Sequence, residues 1–137
     1  MRSDDAVGLA VARALTGTVP DGVDVLEREG EPTSLLAAWE GADAVWLVDA
    51  VSSGASPGTV HRVDATNEPL PAAFARTSTH HFGLPEAIEL ARAIDRLPAR
   101  LVVYGVEGVR FDTGRELTRE VAAAVPRVAD AIRSELR

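Results

Sequence analysis

The sequence predicts an α/β fold: a three-layer sandwich with a mostly parallel, twisted central sheet flanked by helices. Three observations carry this. Two stretches, "ADAVWLVDAV" (42–51) and "ARLVVYGVEG" (99–108), hold near-continuous apolar cores, the signature of strands covered on both faces. Segments with helical spacing of apolar residues lie before, between and after them. Helices and buried strands therefore alternate along the chain. At 137 residues the simplest organisation is one domain, 1–137, large enough to bury a core.

Each element follows in order. Ser3 or Asp4 can cap a first helix whose stripe is Val7, Val11, Ala14 and Leu15, and Gly17 breaks it. "GVDVLERE" (22–29) alternates Val23 and Val25 against Asp24 and reads as a short strand. "PTSLLAAWEG" (32–41) reads as a short helix closed by Gly41. After the strand at 42–51, "SSGASPG" (52–58) is a loop by composition, and "GTVHRVDA" (58–65) is another strand. Residues 64–79 look irregular. "GLPEAIELARAIDRLP" (83–98) is a helix with Pro85 in its first turn and Leu84, Ala87, Ile88, Ala91 and Ile94 on one face. "VRFD" (109–112) extends the sheet edge. The last helix spans 117–136 and carries Pro126 inside it, which removes one backbone bond and predicts a bend.

Composition excludes several chemistries. There is no cysteine, so disulfides, thiolate catalysis and cysteine-ligated metals are out. All fourteen basic residues are arginine, which removes Schiff-base and phosphate-loop lysines. The net charge of −7 argues against a broad nucleic-acid face. No apolar run has membrane-spanning length and the N-terminus lacks a signal-peptide centre, so the expectation is a cytoplasmic protein with no membrane partner.

Ligands of open α/β sheets gather beyond the carboxyl ends of the strands. Asp49 ends the strand at 42–51, which reads as the most buried one, either capping the following turn or acting as a metal ligand or general base. In "STHHFGLPEA" (78–87) two histidines precede a helix. His81 reads as a packing residue of the helix entry, whereas His80 carries that reading and a ligand role equally. His61, in an alternating strand, reads as a surface residue. Asp4 and Asp5 suit the positive end of the first helix, and Asp5 can also turn toward a site. Two carboxylates and one imidazole would suit nickel, iron(II), manganese or zinc better than calcium. No consensus metal string, nucleophile elbow or phosphate loop is present. Asp4, Asp5 and Asp49 also mimic the acidic set of a phospho-acceptor receiver domain, a non-enzymatic alternative. The missing lysine counts against it.

"RSDDAVGLAVARAL", "GADAVWLVDAVSSGASPGTVHRVD", "STHHFGLPEAIELARAIDRLP" and "LVVYGVEG" follow one another in the order found in nickel–iron hydrogenase maturation proteases. The chain resembles that family over nearly its whole length. The resemblance implies the family's phosphorylase/hydrolase-like sandwich. It also implies an endopeptidase, of aspartic type by class, that trims the C-terminal tail of the hydrogenase large-subunit precursor. The family's site residues fall on Asp5, Asp49 and His80, with Gly83 and Leu84 completing the histidine segment. Those three would be both catalytic and metal-contacting, completing the coordination of nickel already inserted in the precursor, with water as the nucleophile and no organic cofactor. The chain departs from the family pattern twice. Its start lacks the family's first strand and Gly-Asn turn, which predicts an empty slot between the strands at about 23–26 and 44–49 and either a start set too late or a truncated, inactive relative. "LEREGEPTSLL" replaces the family's "DGG" turn.

Overall fold

The structure, a computed structural model, describes residues 6–26, 33–71, 74, 84–108 and 117–136. Four helices and three strands follow in the order α1 (Val7–Leu15), α2 (Thr33–Ala38), β1 (Ala44–Val51), β2 (Val60–Asp64), α3 (Leu84–Ala93), β3 (Arg100–Glu107) and α4 (Arg119–Glu135). The expected α/β architecture is present, with helices on both faces of a mixed, open sheet in the order β1-β3-β2. β1 pairs with β3 in parallel, Ala44 opposite Arg100 through Val51 opposite Glu107. β2 pairs with β3 antiparallel, Val60 opposite Val106 through Asp64 opposite Val102.

The apolar run of β3 explains its central place. Leu101 to Glu107 are all buried, with neighbours on both edges and both faces. Alternation then divides its side chains. Val102, Tyr104 and Val106 join Val7, Val11 and Leu15 of α1 and Val121, Ala124, Val128 and Ile132 of α4. Leu101 and Val103 join Val51, Val63, Phe74 and Leu84, Ile88 and Ala91 of α3. Among the described residues β1 is paired on one side only, and Ala44–Asp49 are half-buried rather than enclosed like β3.

Three expectations are corrected. Residues 22–26 form no strand: Val23 and Val25 turn half inward, and Val25 packs on the α1/α4 core, so the alternation reflects packing without a ladder. α3 ends at Ala93, because Asp95 takes a left-handed conformation (φ 58°) and the Arg96 N–H bonds back to the Ala91 carbonyl, a helix-closing arrangement. Ile94 consequently leaves the buried face and is 49% exposed. The strand at 42–51 is not the most buried one: Ala44–Asp49 of β1 are half-buried, whereas Leu101 to Glu107 of β3 are all buried, and α4 keeps Pro126 within it as expected. The proposed strand at 109–112 and residues 27–32 lie outside the described residues. Among the described residues no helix is long and apolar enough to cross a membrane.

Glu135 fastens the end of α4 to the sheet. Its carboxylate accepts bonds from Arg62 Nη2 (2.7 Å) and Nε (3.1 Å), Arg100 Nη2 (3.0 Å), Trp46 Nε1 (3.3 Å) and the Tyr104 hydroxyl. Arg100 also stacks over the Trp46 ring, 5.2 Å from its centroid. Chiefly through Arg62, the Glu135 carboxyl is held down to about 2, while the Arg62 guanidinium is raised. Burial pushes the Tyr104 hydroxyl up.

Candidate functional site at the carboxyl end of the sheet

β1 and β3 run parallel, so their carboxyl ends meet at one edge of the molecule. Asp49 stands there, half-buried, with Oδ1 accepting the Ala50 N–H at 3.0 Å. Two structural features bring further elements to it. Gly8, in the first turn of α1, lies against the Val48 carbonyl so closely that a Cβ would stand 2.7 Å from that oxygen. Only glycine lets the start of α1 approach the residue before Asp49 in this way. The loop after β1 is tied down as well. Gly58 N–H donates to the Glu107 carbonyl (2.8 Å), Gly108 N–H to that of Val51 (3.0 Å), and Arg127 of α4 to that of Gly58 (2.9 Å).

Register sets what flanks Asp49. Asp49 is opposite Gly105, and Gly105 is opposite His61 on its other side. The three form one row on the α3 face of the sheet. The buried Phe74 ring packs on bare Gly105, where a Cβ would lie 2.6 Å from a ring carbon and 2.9 Å from Val51. In the next row Glu107 is opposite Val51 and is buried, its side chain only 2% exposed. It accepts Ser53 N–H (3.0 Å to Oε1, 3.2 Å to Oε2), the Ser53 hydroxyl and His61 Nε2 (3.1 Å).

Of the residues singled out in the sequence, Asp49 sits where expected, whereas Asp5, His80, Asp4, His81 and Gly83 lie outside the described residues. Leu84 opens α3 and is buried. His61 corrects the reading of a surface residue: it is 33% exposed and bound to a buried carboxylate. Glu107 and Ser53 were not anticipated. The signal was available for Glu107, which, like Asp49, is an acid at the end of a buried strand in "LVVYGVEG". Among the described residues no group of three or more acids and histidines could hold a metal ion. As a half-buried oxygen donor at a strand end, Asp49 fits the contact that a metal would require.

The sequence and fold match known proteins. The hydrogenase maturation protease family matches residues 9–135. The chain is 32% identical over 136 residues to protein FrxA of Pyrococcus furiosus, covering 98% of this chain and 96% of that one. It is 28% identical over 139 residues to the hydrogenase expression/formation protein HupD of Rhodobacter capsulatus, covering 98% and 66%. For HupD of Thiocapsa roseopersicina the chain spans 51% of the relative's length. The chain therefore covers about half to two thirds of these HupD relatives. In structure it is similar to the hydrogenase maturating endopeptidase HybD of Escherichia coli, with a TM-score of 0.84 at 26% identity over 99% of this chain and 85% of that one. A second Escherichia coli endopeptidase gives 0.87 at 27% identity, covering 100% and 86%.

These matches displace the receiver-like alternative. They also correct the aspartic-type class. An aspartic protease rests on two carboxylates sharing one proton, whereas the matches are to hydrogenase maturation proteases and not to aspartic-type enzymes. A family match running from residue 9 to residue 135 and a relative 32% identical over nearly the whole of both chains lead to one assignment: the chain belongs to the hydrogenase maturation protease family.

Proposed function

We propose that this chain is an endopeptidase that removes the C-terminal tail of a nickel–iron hydrogenase large-subunit precursor once nickel has been inserted. The observation that carries the reading is the carboxyl end of β1, where Asp49 stands half-buried and Gly8 seats the start of α1 on Val48. Asp5 lies three residues before Gly8, and His80 lies four before Leu84, the first residue of α3. Both chain segments lead into elements that pack on the sheet. In this reading Asp5, Asp49 and His80 contact the nickel of the precursor, which arrives as part of the substrate. Held by these residues, the ion would position or polarise the scissile peptide, with water as the nucleophile. Specificity for loaded precursor follows, since a precursor without nickel offers those three side chains nothing to bind.

The test mixes purified protein with nickel-loaded and nickel-free precursor and follows tail loss by mass. Only the loaded form should be shortened. Asp49→Asn should slow cleavage by about 100-fold or more, since even residues behind metal contacts cost about 10–100-fold, with the melting temperature retained. Equal cleavage of both precursors, or an active Asp49→Asn protein, would refute the reading.

A further inference from the structure

Glu107 ends the central strand with its carboxylate out of water, a position that is costly unless donors surround it. Three do so: the Ser53 N–H, the Ser53 hydroxyl and His61 Nε2. The order of these bonds decides their chemistry. The carboxylate stands between serine and histidine, and no hydrogen bond joins His61 to Ser53 among the described residues. The trio therefore lacks the serine-to-imidazole bond of a nucleophile and its base.

What it provides is an oriented imidazole. Glu107 engages His61 through Nε2, which leaves Nδ1 as the ring nitrogen open to another partner. Nδ1 has no hydrogen-bond partner among the described residues, and the side chain is 33% exposed. The ring stands in the same row and on the same face as Asp49, with Gly105 between them. At about 4.8 Å between neighbouring strands, the two positions are about 10 Å apart, on either side of the Phe74 ring that covers Gly105.

We propose that His61 is a substrate-contacting residue, whose Nδ1 makes a hydrogen bond to the backbone of the precursor beside the point held at Asp49. Glu107 is the positioning residue that fixes the ring, and Ser53 anchors Glu107. The proposal rests on the protease reading and deepens it, adding a second point at which the same substrate chain is read.

His61→Gln provides the test. Glutamine can retain an amide N–H toward Glu107 but has no ring nitrogen at the Nδ1 position. The expected result is an unchanged melting temperature, an unchanged kcat and a KM for nickel-loaded precursor raised about three- to tenfold, the range of one lost hydrogen bond. A stable His61→Gln protein with wild-type KM overturns the proposal. A second measurement follows the imidazole nitrogens of the wild-type protein by NMR while a peptide of the precursor's C-terminal region is added. The His61 Nδ1 signal should move on saturation and the Nε2 signal should stay; an unmoved Nδ1 overturns the proposal even if the variant fails to fold. Failure of the wild-type protein to cut any precursor would instead refute the protease reading, and the peptide titration would still decide the contact at His61.

Discussion

Replacing Glu135 by glutamine tests what fastens α4 to the sheet. The folded state holds this carboxyl at about 2 against an ordinary 4.5. At about 1.4 kcal/mol per pH unit, that difference has a ceiling of about 3 kcal/mol. Exposure of the partners lowers it. Arg62 and Arg100 are 44% and 48% exposed, so water and salt screen their charges. About 1–2 kcal/mol is the expected contribution. Because the folded-state value is depressed, the stabilisation is complete above pH 4.5 and is lost as pH falls from 4.5 toward 2. Glu135→Gln removes the charge at every pH. Its melting temperature should lie about 3–8 °C below wild type at pH 7, with the gap closing as both are measured toward pH 2. Thermal unfolding followed by circular dichroism from pH 2 to 7 measures this. A gap that is constant with pH would show that the loss comes from packing, and no gap at pH 7 would show that the ion pairs contribute nothing.

Two further substitutions test backbone features. Gly8→Ala places a methyl 2.7 Å from the Val48 carbonyl oxygen, a backbone atom that cannot swing aside. The gain in helix propensity of about 1 kcal/mol is outweighed by overpacking of about 1–3 kcal/mol, so the protein should melt lower and cleave precursor more slowly; unchanged melting and cleavage would refute the close approach. Asp95→Gly relieves a left-handed residue just past α3 and removes a negative charge from the helix's negative end. It should stabilise by about 0.5–1 kcal/mol in denaturant unfolding, and a loss of stability would refute that account.

Much of the fold was legible because its strongest signals are local. The near-continuous apolar run "LVVYGV" was legible as a buried strand, though not as the one enclosed on all sides, which depends on β2 pairing with its far edge. The 84–93 periodicity survives as the buried line Leu84, Ala87, Ile88 and Ala91. What failed depended on partners distant in sequence. Val23 and Val25 alternate like a strand, yet alternation does not create a ladder. His61 looked solvent-facing because its partner, Glu107, is 46 positions away in the chain. Asp49 was legible as a charge ending an apolar strand, and the same rule applied to Glu107 would have found the other half of the strand-end cluster.

The contact of α4 with the loop after β1 has a consequence for synthesis. Gly58 lies against the Glu120 carbonyl so closely that a Cβ would be 2.6 Å away, and the Arg127 guanidinium binds the Gly58 carbonyl. Both partners are translated more than sixty residues after the loop they hold. A nascent chain with all three strands already made still lacks the helix that fixes this loop and covers one face of the sheet. Completion of the Asp49 edge is therefore delayed until residue 127 has cleared the ribosome.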